Sequence, residues 1–220
     1  MIPEQLKLGG LVYVVEEVTE LNVNQGKTSV GYPNTLRYEI EAAAPEVIKK
    51  EQLLIQVISS IGILMYGEHR KKESAIMARG LFALLRDNPQ LAEGGGRDVW
   101  GLDSIRYLGK SYTIHKRPGI NHNMASIHYV NMTIDIQESF RPCIQWFSLW
   151  HEVGHLIRMA FGLDVRELGG EDEECIADDL EDEEERIIDL WAFFIMSLFS
   201  QNDMRWLVES ADETRPDYHP

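Results

Sequence analysis

Basic residues are in short supply. The chain of 220 residues has 21 Lys and Arg against 36 Asp and Glu, a formal charge of −15. Binding nucleic acid through its phosphates needs a basic face, and so does docking on anionic lipid, so neither partner is expected. Cysteine is scarcer still, with Cys143 and Cys175 alone. Two thiols make no disulfide framework, and their spacing fits no zinc knuckle. No apolar run approaches the roughly 18 residues that a membrane-spanning helix requires. The opening Met1-Ile2-Pro3-Glu4 lacks the basic-then-apolar pattern of a secretion signal. A reducing cytoplasm is therefore the expected location.

What the chain does have is enough apolar character, 44% of residues, to bury a core. It also contains His151-Glu152-Val153-Gly154-His155, an H-E-x-x-H motif inside the apolar run Phe147 to Ile157. Two imidazoles four residues apart lie one turn apart on the same helix face, so their nitrogens can reach one cation. Glu152, about 100° round the helix from His151, can hold a water beside that cation and take its proton. This is the chemistry of a zinc hydrolase, with Zn2+ as cofactor, His151 and His155 as ligands and Glu152 as general base.

The rest of the chain reads as two halves built to one plan. Residues 5–20 and 104–117 each show alternating strands about a Gly turn, Gly9-Gly10 in one and Gly109 in the other. Further alternation follows at 35–41 and 124–137, with Asn131 marking a hairpin turn. Long apolar helices are expected near 46–66 and 140–161, the second capped by Ser139 with Pro142 in its first turn. A final helix closes each half, near 70–87 and 183–201. An offset of 99 aligns the first strands and pairs Gly10 with Gly109. An offset of 114 aligns the last helices and pairs Asn88 with Asn202. An offset of 95 on the long helices pairs Leu54 with Leu149 and Gly67 with Gly162, and sets Gln56, Val57 and Ser60 on the motif positions 151, 152 and 155. The expected organisation is a first unit at 1–91 without metal ligands and a Gly-rich linker at 92–101. A metal-binding unit at 102–207 follows, with an acidic insertion at 164–184 and a tail at 208–220. The expected fold class is α+β: two tandem units, each a small antiparallel sheet followed by a long helix and a second packing helix.

Two histidines leave a tetrahedral zinc one protein ligand short. A histidine six residues after His155 is ruled out, because Phe161 stands there. A carboxylate on the last helix is the other source. Glu185 and Asp189, four apart, share one face beside the apolar stripe of Ile188, Ala192 and Ile195. Glu185 would be the ligand and Asp189 would accept the outer N–H of a ligating histidine, with Asp189, Glu184 and Glu181 as alternative ligands.

H-E-x-x-H followed by E-x-x-x-D on a second helix resembles the gluzincin metallopeptidases. The small size, the strands before the metal helix and the run Leu85-Arg86-Asp87-Asn88-Pro89 resemble the small minigluzincin or ImmA/IrrE-like proteins of phage and bacteria. The resemblance covers most of 104–203 and, in degenerate form, 5–91. It implies zincin-like units, peptide or protein substrates, His151, His155 and Glu185 as zinc ligands, Glu152 as base and Asp189 behind a ligand. The chain departs from the pattern in the long acidic stretch between His155 and Glu185. It also carries Ile where ImmA/IrrE-like members have the glutamate of E-A-x-x-F-A.

Thirteen of the acidic residues fall between Asp164 and Glu185, with Arg166 as the one basic residue there. That segment can be a solvated loop at a helix start, where negative charge suits the dipole, a gate over the site, or a decoy surface for a nucleic-acid-binding partner. His115, His122, His128, Tyr112 and Tyr129 are available to stabilise an oxyanion, and no spacing singles one out. The leading expectation is a zinc metallopeptidase. The competing one is a non-catalytic acidic binding or inhibitor protein, of the phage host-factor-binder kind, with a vestigial or structural zinc site.

Overall fold

The computed structural model describes residues 1–21, 28–66, 71–93, 101–119, 124–162 and 174–209. Side chains at 64–66, 71–72, 93 and 174–183 are outside the description. The fold is α+β, with two four-stranded sheets and four α-helices among the described residues.

The first sheet comprises β1 (Gln5–Leu8), β2 (Leu11–Val18), β3 (Ser29–Tyr32) and β4 (Arg37–Glu41). Two helices follow, α1 (Glu46–Tyr66) and α2 (Lys71–Asp87). The second sheet repeats the plan with β5 (Ser104–Tyr107), β6 (Lys110–Arg117), β7 (Ala125–His128) and β8 (Thr133–Gln137). It leads into α3 (Pro142–Ala160) and α4 (Glu174–Gln201). Alternation does the local work. Leu6, Leu8, Tyr13 and Val15 point inward from one hairpin, Ile105, Tyr107, Tyr112 and Ile114 from the other. Gly10 and Gly109 take φ of +82° and +79° at the hairpin turns, a conformation open to glycine without strain.

The sheets are mixed, not antiparallel as expected. The strand orders are β1-β2-β4-β3 and β5-β6-β8-β7, and the central pairs β2·β4 and β6·β8 run parallel. The cause is the second hairpin of each half, which inserts its later strand beside the first hairpin and leaves its earlier strand on the outside. Period-two alternation reports which face a side chain takes and is silent on which strands pair.

The start of α3 also differs from expectation. Arg141, extended at ψ 150°, precedes Pro142 in the first turn, and Ser139 makes no cap. A residue before proline is driven out of the helical region, so the helix cannot begin earlier. Gln145, buried in the first turn, instead donates to the carbonyls of Glu138 and Phe140 at 3.1 and 2.8 Å. The acidic insertion is helical from Glu174, so the last helix starts nine residues earlier than the expected 183 and the loop reading fails for that part. Residues 163–173, and the side chains that a gate or decoy would use, lie outside the described residues, as does the Gly94–Gly96 stretch.

Matching backbone hydrogen bonds fix the correspondence between halves. Val15 donates to Glu4 as Ile114 does to Asp103, an offset of 99. Glu41 donates to Thr28 as Gln137 does to Met124, and Lys49 to Pro45 as Gln145 does to Arg141, an offset of 96. The offset of 95 on the long helices is therefore one residue short. Ile55, Gln56 and Ser59 stand where the second half has His151, Glu152 and His155, and none of the three is a metal ligand of useful strength. Gly67, expected to match Gly162, lies outside the described residues.

The last helices cross over. α2 packs on α1 and on β5 of the second sheet, and α4 packs on α3 and on β1 of the first. Asn88, just past α2, donates through Nδ2 to the Arg106 carbonyl and accepts from the Arg106 N–H at 2.7 Å. Asn202, just past α4, does the same to Lys7. Each amide thus stands in for a strand along the outer edge of the opposite sheet. The buried apolar residues of both halves form one continuous core, which includes Leu91 at the end of the expected first unit and Ala92 at the start of the expected linker.

Candidate metal centre

Helix α3 lies on β7 and β8, and α4 packs alongside it. Gly154 makes the approach possible, since a Cβ there would come within 3.0 Å of Ile188 Cγ2 on α4. The close crossing brings the end of the H-E-x-x-H motif against the middle of α4, at Glu185 and Ile188.

Three sequence-predicted ligands converge. His151 Nε2 and His155 Nε2 are 3.1 Å apart. Glu185 Oε2 lies 3.1 Å from His151 Nε2, and Oε1 lies 3.4 Å from His155 Nε2. A tetrahedral zinc with bonds of about 2.0–2.1 Å separates its ligand atoms by about 3.3 Å, and the spacing here is compatible with that. Among the described residues this is the one group of three or more His, Cys, Asp or Glu spaced to hold a metal ion. Asp189 accepts from His151 Nδ1–H at 2.9 Å. With Nδ1 held by Asp189, it is Nε2 that faces Glu185 and His155. The outer nitrogen of His155, Nδ1, is buried with no hydrogen-bond partner among the described residues.

The electrostatics follow from the crowding. Burial of His151 disfavours its charged form. The hydrogen bond to Glu185 and the negative charges of Glu152, Glu185 and Asp189 outweigh burial and raise its pKa above the ordinary value. Hydrogen bonds from His151 and His155 hold the Glu185 carboxyl well below the usual carboxylate range, against the opposing effect of burial. Glu152 is buried at 5% exposure, and its charge is felt at His151. In the first half the matching residue, Gln56, donates to Ser29 Oγ on β3 at 2.8 Å. The matching position on β7 is Ala125, which has no hydroxyl to offer.

The alternative third ligands separate. Glu184 points to Arg158, with Nε–H donating to Oε1 at 3.0 Å, and the Glu181 side chain is outside the described residues. His115 and His128 are not at the centre. They bracket Asp135 on the sheet face opposite to the one carrying Ile114, Ile134 and Ile136, the face that meets α3. Tyr112 is buried in the core, and His122 lies outside the described residues. Sequence reading missed Arg158, whose guanidinium also donates through Nη1 to Glu73 of α2 at 2.7 Å. The available signal was a lone cation one turn beyond His155 in an otherwise apolar helix run.

Among the described residues, no helix is long and apolar enough to cross a membrane. No protein-family model, curated protein or solved structure matches the chain.

Proposed function

We propose that the chain is a zinc-dependent metallopeptidase. The observation that carries this reading is the convergence of three side chains: the Nε2 atoms of His151 and His155 lie 3.1 Å apart, and the two Glu185 oxygens lie 3.1 and 3.4 Å from them, one oxygen to each ring. These three residues would hold the zinc. When bound, zinc polarises a substrate carbonyl and lowers the pKa of water towards about 7. The chain itself supplies proton handling and orientation. Glu152 takes the proton of the attacking water and returns it to the departing amine nitrogen. Asp189 keeps His151 in the tautomer whose Nε2 faces the centre. An extended peptide finds a place on β7, the outer strand of the second sheet and the one next to α3, by adding a strand to its open edge. Strand β8 is interior and paired on both sides, so it has no open edge to offer.

The test is zinc content together with hydrolysis of a peptide library. The expected result is one zinc per chain, with hydrolysis abolished and zinc retained in Glu152→Gln. A chain purified without chelators that carries no metal and takes none up defeats the reading. Stoichiometric zinc without hydrolysis by the wild-type chain favours the non-catalytic binding protein instead.

A further inference from the structure

We propose that Glu73, which belongs to the first half of the chain, is a positioning residue for the Glu185 carboxylate, acting through Arg158 and Glu184. The inference rests on the metal-site reading above. Arg158 lies three residues after His155 on α3, and its side chain is 8% exposed. Its fork is divided between two helices. Nε–H donates to Glu184 Oε1 at 3.0 Å, and Nη1–H donates to Glu73 Oε1 at 2.7 Å. Glu184 is 2% exposed and directly precedes Glu185 in α4.

A buried guanidinium is costly to leave partly unpaired, and two carboxylates from different helices restrict its plane far more than one does. With Glu73 in place, Arg158 holds Glu184 at one height and rotation of α4 relative to α3. The next residue is the carboxylate that must meet both imidazoles. Without Glu73 the guanidinium loses one of the two carboxylates that set its plane, and Glu184 and Glu185 shift with it.

The other half of the molecule supplies an internal comparison. At the offset that aligns the long helices, Gly62 of α1 stands in the place of Arg158. The nearest atom to a Cβ there is Ser74 Oγ of α2, 3.3 Å away. The fold therefore closes this helix pair without a guanidinium. The ion triad is an addition, found on the side that carries the histidines. Its third member is drawn from the half without ligands, which makes that half part of the site.

The experiment is equilibrium binding of Zn2+ to the full-length protein, by competition with a chromophoric chelator, alongside the visible spectrum of the Co2+-loaded protein. Glu73→Ala is expected to weaken Zn2+ binding about tenfold, the scale of losing a group that orients a ligand, and to alter the Co2+ spectrum. Glu73→Gln keeps an acceptor for Arg158 and is expected to restore most of both. Glu51→Gln removes one negative charge from the same half, where Glu51 pairs with exposed Arg79, and is expected to leave binding unchanged. A folded Glu73→Ala protein with wild-type affinity and spectrum overturns the inference and leaves the metal site standing. An equal loss in Glu51→Gln also overturns it, because long-range charge then suffices. Wild-type protein that binds neither ion overturns the metal-site reading and this inference together. If Glu73→Ala does not fold, Arg158→Lys decides: lysine keeps the buried charge but cannot hold both carboxylates in one plane, so weakened Zn2+ binding with an altered Co2+ spectrum supports the inference and wild-type values overturn it.

Discussion

Replacing Asn88 by alanine tests the cross-packed architecture at its most buried polar contact. The Asn88 side chain is 2% exposed. Its Nδ2 donates to the carbonyls of Leu84 and Arg106 at 2.7 and 2.6 Å, and Oδ1 accepts from the Arg106 N–H at 2.7 Å. At about 1 kcal/mol net for each bond, alanine costs about 3 kcal/mol, and leaving the part-buried Arg106 peptide group without its partner adds to that. Asn202 makes the same three bonds at the other end, at 2.7, 2.7 and 2.8 Å, but on a half-exposed edge. Water can replace the lost partner there, so Asn202→Ala costs about 1 kcal/mol. Against a typical total of about 5–15 kcal/mol the first change is severe and the second mild. Urea unfolding of the metal-free proteins measures both, with a matching urea dependence required before the two are compared. Amide exchange at Arg106 should quicken in the first variant alone. Equal losses in the two variants, or a loss under about 1 kcal/mol at Asn88, would refute the reasoning.

Three further outcomes are expected. Gly80→Ala would set a Cβ 2.4 Å from Ile157 Cγ2 and 3.0 Å from the Tyr107 hydroxyl. The gain in helix propensity of about 1 kcal/mol is then smaller than the strain of about 1–3 kcal/mol, and the urea midpoint falls; a rise would contradict the close approach of α2 to α3. Asp189→Asn removes the charge that accepts from His151 Nδ1–H and should weaken zinc binding about tenfold in a chelator competition, with no effect expected if the contact is incidental. In the metal-free protein the depressed Glu185 carboxyl stabilises the fold above its ordinary value of 4.5 and loses that effect as pH falls. The raised His151 stabilises it below its ordinary value of 6.5 and loses that effect as pH rises through the folded value. Glu185→Gln should therefore cost most stability between those two values and little at pH 9, as read from urea midpoints. A cost undiminished at pH 9 would sink the ion-pair account.

Parts of this molecule could be read directly from residue order. Leu6, Leu8, Tyr13 and Val15 alternate as strand residues must, and their counterparts repeat the pattern 99 residues later. That His151 would lie beside His155, and Glu185 beside Asp189, was legible because helical geometry fixes which residues four apart share a face. The parallel pairing of β2 with β4 was not, since alternation is the same in either direction. The one-residue error on the long helices has a related cause. Leu53 and Leu54 are both buried, as are Leu149 and Trp150, so an apolar run slides by one position without penalty in a sequence comparison. The Arg158 cluster was hidden because its members are 26 and 85 residues apart, and only the crossing of α2 over α3 brings them together.

The exchange of α2 and α4 has a consequence for how the chain can be divided. A break made anywhere between Glu93 and Gly101 would leave two polypeptides, each missing the helix that covers its own sheet edge and each holding the one its counterpart lacks. Neither fragment alone would bury its share of the common core. Mixed together, they should recover the native state by complementation, and the rejoined pair should obey second-order kinetics, as an obligate heterodimer does.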